Sequence, residues 1–364
     1  MKRKENIFEI EKQLFFEEDF SEVPPTDIVA YNELRSCADL FRMYGQGILK
    51  LYPEFQRDVV WPPASQTRFI DSLVKGLPIP SMCFSYDPRK QEWLVIDGLQ
   101  RIYTIIKFLE GGNWVLSKID DIDQNIAGLS VTKIKNSRGK LHEYYTRIEN
   151  LTIPITVLRC NHSDKHHLSF LFMIFHRLNS EGMKLNNQEI RNCIYGGIFN
   201  RLLKELDKID SWRKINKMRE EESYRFIKQE LILRIFAFYE NLDDYNGKLT
   251  KFLNDYMYRN RNLDEDKKGQ LTQLFNKTSD LIYENIFDKI PPKKISNAFL
   301  EAIFVGIAKN IDNLERISIT TLKKRYRTVE KNKLFSERSL SEGVSKKQKV
   351  KNRIKRAIKL FSGR

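Results

Sequence analysis

Asp97-Gly98-Leu99-Gln100-Arg101 stands where a short apolar run of β type, Trp93 to Ile96, gives way to a helix-like stretch. A strand that ends in Asp-Gly and reopens as a helix aims backbone N–H groups, a helix dipole and a guanidinium at one point. That arrangement suits an anion, and a phosphate above all, because a guanidinium grips two phosphate oxygens together. Gly98 lets a ligand approach the backbone closely. Arg101 is the candidate phosphate clamp, and Gln100 offers a side-chain amide to the same ligand. Asp97, at the carboxyl end of the strand, is placed to bind Mg²⁺ through an oxygen or to accept from a ribose hydroxyl. As an ordinary Asp-Gly turn it would need no ligand.

Gln56 and Arg57 follow an extended Tyr-Pro segment and precede Trp61. A second arginine neutralises charge developing in phosphoryl transfer; its plain alternative is an ion pair with Glu54, Asp58 or Asp71. Asn179 and Glu189 flank the Gly182 turn, and Arg191 would serve a phosphate or Glu189. Asn186, three residues before Glu189, forms a capping box that accounts for Glu189 without any chemistry. The candidate catalytic set is therefore Asp97, Gln100 and Arg57, with Asp97 also the metal ligand. The nucleotide-binding set is Gly98, Arg101, Gln56, Asn179, Glu189 and Arg191.

In order and spacing, Phe55-Gln56-Arg57…Trp61, Asp97-Gly98-Leu99-Gln100-Arg101 and Asn179-Ser180-Glu181-Gly182…Leu185…Glu189 resemble the three hallmark blocks of the DUF262 family. That family is the N-terminal domain of GmrSD-type modification-dependent restriction systems and is related to the ParB/sulfiredoxin fold. The resemblance spans roughly residues 27 to 260. It implies a G-x-x-R turn that binds phosphates, which Gly98 to Arg101 reproduces. One position departs: Leu99 replaces the family's first Gln, and a leucine hydrogen-bonds neither base, water nor phosphate.

Strand-like runs at 48–51, 82–86, 93–96 and 153–158 are β-branched or aromatic and bounded by Gly, Pro or Asp. Helix patterns cover 34–44, 64–75 and 100–109, the last stopped by Gly111-Gly112. Residues 113–150 are polar and read as a variable insert with a hairpin or loop. From about residue 165 the strand patterns cease. Leu168, Leu171, Phe172, Phe175 and Leu178 share a helix face, and 226–239 and 298–308 read as buried central helices. The expected fold class is α+β: a ParB/sulfiredoxin-like domain with a small mixed sheet over 1–162, then an all-α domain over 163–335. A basic amphipathic tail follows over 336–364.

The net charge of +15 is concentrated at that end. Residues 321–364 hold 16 Lys/Arg against 3 Asp/Glu, leaving 47 against 45 in the other 320. Val350, Ile354, Ala357, Ile358 and Phe361 share one helix face there, with Lys346, Lys347, Lys349, Lys351, Arg353, Lys355 and Arg356 as candidate DNA contacts. The alternative is a helix docked on the body with its lysines in water.

The four cysteines are widely spaced and read as reduced, buried thiols. No apolar leader follows the charged N-terminus and no run approaches a membrane span, so a cytoplasmic, membrane-free protein is expected. There is no Walker motif. All five histidines fall between His142 and His176, which leaves no counterpart of the His-Asn-His nuclease domain that accompanies fused family members. The reading is a nucleotide-binding, NTP-hydrolysing regulatory subunit of a restriction or anti-phage system. It would use a nucleoside triphosphate and Mg²⁺, with DNA and a separate nuclease as partners and a homo-oligomer left open. The rivals are a ParB-like metal-dependent nuclease and a non-catalytic nucleotide-gated adaptor.

Overall fold

The computed structural model describes residues 7–14, 24–51, 61–178, 185–219, 225–341 and 343–363. It is α+β, with one five-stranded mixed sheet and many helices. Two compact units emerge, Glu22–Lys184, and Met1–Ser21 together with Leu185–Arg364. Helix α1 (Ile7–Leu14) belongs to the second of these.

The sheet unit runs β1 (Val29–Ser36), α2 (Cys37–Gly45), β2 (Leu49–Lys50), α3 (Pro63–Val74), β3 (Met82–Asp87), β4 (Glu92–Asp97) and α4 (Leu99–Glu110). It closes with α5 (Val131–Asn136), α6 (Lys140–Asn150), β5 (Thr152–Arg159) and α7 (Lys165–Leu178). Strand order is β1-β5-β3-β4-β2. The β1–β5 and β3–β4 pairs are antiparallel, while β3–β5 and β2–β4 are parallel. Alternate residues, Met82, Phe84, Trp93, Val95, Ile153, Ile155 and Val157, enter a core shared with α2, α3, α4 and α6. Their neighbours Ser85, Leu94, Ile96 and Leu158 are also buried, and α7 packs against β4. A sheet covered on both faces explains why the β3 and β4 sequences read as continuous apolar runs.

Three expectations change in detail. The helix expected over 34–44 is the end of β1 followed by α2, because Ser36 stops the strand and caps the helix, its Oγ accepting from the Asp39 N–H. The stretch 113–150 is not an irregular insert. It contains α5, capped by Ser130, and α6, whose Tyr144, Tyr145 and Ile148 enter the core. Three apolar positions among charges give too weak a periodicity to read. The sheet unit also runs past residue 162, to Lys184, because α7 is bound to it. The His167 Nε2 lies 3.0 Å from an Asp27 oxygen, and its Nδ1 accepts from the Asn161 N–H at 2.9 Å.

The helical unit comprises α8 (Asn187–Ile194), α9 (Ile198–Leu206), α10 (Asp210–Ile215), α11 (Ile227–Asn241), α12 (Leu249–Asn260) and α13 (Glu265–Asp280). It continues through α14 (Asn297–Ala308), α15 (Ile311–Leu314), α16 (Ile319–Glu330), α17 (Glu337–Ser341) and α18 (Lys347–Ser362). Central α14 is buried almost all round. Gly306 lets α18 close on it, since a Cβ there would stand 2.9 Å from Phe361 and 3.1 Å from Ala357. Helix α1 returns to the same place. The Glu11 carboxylate accepts from the Asn297 and Ala298 N–H groups at the N-terminus of α14, at 3.0 and 2.8 Å.

Candidate phosphate-binding turn

Gly98 joins β4 to α4 with φ 93° and ψ 14°, the left-handed region that glycine tolerates. Its carbonyl accepts from the Ile102 N–H at 2.9 Å, the first bond of the helix. No side chain caps this N-terminus among the described residues. A Cβ at Gly98 would lie 2.7 Å from Met82 Cγ. Packing against β3 therefore requires the glycine, independently of any ligand.

Arg101 projects back across the turn. Its Nη2 donates to Asp97 Oδ2 at 2.7 Å and its Nη1 to the Pro80 carbonyl at 2.6 Å. The Arg101 side chain is 15% exposed and that of Asp97 33%. Gln100 turns the other way, and its Oε1 accepts from the Trp61 backbone N–H at 2.8 Å. Gln66 of α3 completes the hold by donating to the Trp61 carbonyl at 2.9 Å. Lys107 then donates to Gln66 at 2.9 Å and lies 4.2 Å over the Trp114 ring; burial pulls its pKa below the usual lysine value. Gln66 was not singled out in the sequence, although a glutamine on the inner side of an amphipathic helix is a sign of such a partner. Gln56, Arg57 and Asn179 lie outside the described residues.

The structure thus brings Asp97, Gly98, Gln100 and Arg101 together, whereas Glu189 and Arg191 belong to the helical unit. Glu189 is fully buried at the start of α8. It accepts from the Asn186 N–H at 2.7 Å, completing the capping box, and takes Arg225 in a two-pronged pair at 2.9 and 2.6 Å. Arg225 and the next residue, Phe226, both hold positive φ, 44° and 60°. Two adjacent left-handed non-glycine residues persist only where surroundings over-determine them. Here the Arg225 carbonyl also accepts from Asn186 Nδ2 at 2.7 Å. Arg191 is buried too, and its partner is Glu230 at 2.8 Å, with Asn254 at 2.8 Å, rather than Glu189. Arg225 is the motif partner the sequence reading lacked.

One of the proposed DNA contacts must be withdrawn. Arg353 is buried, faces Glu301 at 3.3 Å and donates to the Val344 carbonyl at 3.4 Å. The spacing that sets Val350, Ile354 and Ala357 on the inner face of α18 carries residue 353 inward with them. Lys346, Lys347 and Lys355 are exposed, and Lys349, Lys351 and Arg356 half-buried.

Other chemistry is limited. Ser85 Oγ lies 2.8 Å from His162 Nε2, and His162 Nδ1 is 4.0 Å from Glu92, the order of a nucleophile, base and acid. Ser85 is fully buried within β3, so no substrate reaches it. All four cysteines are free and buried, and burial pushes the Cys37, Cys83 and Cys160 thiols up to about 12. Among the described residues no group of three or more His, Cys, Asp or Glu is arranged to hold a metal ion. Asp97 alone could contribute one carboxylate to Mg²⁺, which would take its remaining oxygens from phosphate and water. No described helix is long and apolar enough to cross a membrane.

No curated protein and no solved structure matches the chain. A family model does, that of the GmrSD restriction endonuclease, N-terminal domain, over residues 37–196. The match takes in the sheet unit from α2 onward, the β4–α4 turn and the Asn186–Glu189 capping box. Over residues 37–196 the chain is thus similar to the GmrSD N-terminal domain.

Proposed function

We propose that this protein is a nucleotide-binding regulatory component of a restriction or anti-phage system, and that its sheet unit binds a nucleoside triphosphate at the β4–α4 turn. The observation that carries the reading is Arg101, whose guanidinium is held beside an uncapped helix N-terminus at a left-handed glycine. Phosphate oxygens would bind the N-terminal turn of α4 and the guanidinium together. Displacing Arg101 from Asp97 would free that carboxylate for Mg²⁺, which supplies charge neutralisation along the phosphates. Gln100 keeps Trp61 in place beside the turn. Bound nucleotide would set the state in which the protein engages DNA and a separate nuclease subunit.

Thermal shift of the intact protein with ATP, GTP, CTP and UTP, with and without Mg²⁺, tests this. A specific nucleotide at a hundredfold excess over its Kd stabilises by about 2.7 kcal/mol. No shift with any nucleotide, or an equal shift in Arg101→Ala, rejects the site.

Leu99 favours a second reading, in which the nucleotide is bound without turnover. Its side chain packs against the core of the sheet unit and offers nothing to an attacking water. Phosphate release from pure protein separates hydrolysis from this gated-adaptor role.

A further inference from the structure

We propose that the DNA contact is a two-helix surface, with Lys324 and Arg327 of α16 and Lys331 at its C-terminal cap as its principal cations beside the C-terminal half of α18. The proposal rests on the reading that this protein engages DNA, and replaces a lysine-rich tail with a defined face of the helical unit.

Several basic side chains of this end are already engaged. Lys323 is bound to both oxygens of Asp288 at 2.6 Å. Lys351 donates to the Asp243 carbonyl at 2.6 Å and Lys355 pairs with the Asp243 carboxylate at 2.9 Å. Arg353 is buried against Glu301. Lys324, Arg327, Lys331, Arg356 and Lys359 form no ion pair among the described residues.

These cations share a setting. Leu322, Tyr326 and Val329 form the buried face of α16, and Tyr326 is fixed by the Phe287 and Phe299 rings. Residues 324, 327 and 331 follow at spacings of three and four on the opposite face, the period of one helix stripe. Helix α16 lies against α18, and Arg325 ties them by donating from Nη1 to the Phe361 carbonyl at 2.6 Å. That contact caps the C-terminal end of α18, where Arg356 and Lys359 stand. The tied lysines, 351 and 355, occupy the earlier turns. From Lys324 to Lys331 the helix rises ~10 Å. Over that length one strand of a duplex presents about three phosphates, at 3.4 Å of rise each. Contacts of this type hold the backbone without reading bases.

The experiment is fluorescence anisotropy of the full-length protein with a labelled duplex of arbitrary sequence, between 50 and 300 mM NaCl. Wild type should show a log–log salt slope near −4 to −5, about 0.9 for each of the five unpaired cations. Lys324→Gln/Arg327→Gln/Lys331→Gln should flatten it by about 2 to 3 units. Lys323→Gln/Lys351→Gln/Lys355→Gln removes the same charge from cations already paired and should change the slope by less than about one unit. An unchanged melting temperature in both triple variants keeps folding out of the comparison. Equal losses in the two variants would mean attraction by net charge alone and would overturn the proposal. So would intact binding in the α16 variant, with DNA engagement itself left standing. Wild type that ignores DNA, or binds phosphatidylserine vesicles in its place, overturns both this surface and the DNA reading beneath it.

Discussion

Arg101 reaches back over Gly98 to Asp97, Nη2 to Oδ2 at 2.7 Å, so the candidate phosphate clamp is occupied by a carboxylate four residues earlier. On the proposed reading a phosphate would compete with that carboxylate for the guanidinium. Asp97 would then have two opposed effects, competing for the guanidinium without metal and binding Mg²⁺ once released.

Asp97→Asn should therefore tighten metal-free nucleotide binding several-fold by calorimetry, and abolish its stimulation by Mg²⁺. Arg101→Ala should weaken binding tenfold or more, the loss of a charge-assisted hydrogen bond of roughly 1.5–3 kcal/mol. Weaker metal-free binding in Asp97→Asn would show that Asp97 positions Arg101 rather than competing with the ligand.

Gln66 and Gln100 hold the two backbone groups of a single residue, Trp61. Each Gln→Ala change should cost about 1–3 kcal/mol, because a partly buried backbone group loses its partner. The two costs should not add. A coupling of 0.5 kcal/mol or more in a double-mutant cycle, read from urea unfolding, is the expected sign of a shared anchor. Strict additivity would show that the two contacts are independent.

Local chemistry made part of this legible from residues alone. Apolar runs bounded by turn residues gave β3, β4 and β5 nearly to the residue. The Asp-Gly-x-x-Arg order placed Asp97, Gly98 and Arg101 at one junction. Non-local pairing stayed hidden. Nothing near Gln100 points to Trp61, 39 residues away, and nothing near Glu189 points to Arg225, 36 residues away. The strand β1 was concealed by its edge position, where Leu34 is 69% exposed and alternation is lost. Arg353 reads as a DNA contact by charge alone, whereas its spacing from Val350 and Ala357 sets it on the inner face of α18.

Truncating the chain before α18 would uncover the α14 surface at Gly306, so removal of the basic end is a stability experiment before it is a binding one. Arg353 shows the same coupling. Arg353→Leu should destabilise by about 3–5 kcal/mol, because it leaves Glu301 buried without its ion-pair partner, with only the attraction of Arg234 remaining. Glu301→Leu/Arg353→Leu should recover most of that loss, since two apolar side chains bury no charge. Thermal melts of the single and double variants decide. A double variant no more stable than Arg353→Leu would show that packing, not charge, accounts for the cost.

Lys228 gives the helical unit a pH dependence of definite sign. Its Nζ donates to Asn297 Oδ1 at 3.0 Å, and burial lowers its pKa from 10.5 to about 8, against the attraction of Glu11 and Asp207. Between about pH 8 and 10.5 the unfolded chain keeps this proton while the folded chain has lost it. Unfolding then takes up a proton, so the contribution of Lys228 to stability rises with pH across that window and falls as pH drops through 8. Lys228→Met carries no titrating group. The difference in stability between wild type and Lys228→Met, from urea midpoints at pH 7.5, 8.5, 9.5 and 10.5, should move steadily in favour of wild type as pH rises. Tyrosines and other lysines titrate in both proteins and cancel in that difference. A difference independent of pH would mean that Lys228 keeps its ordinary pKa and that its ammonium reaches water.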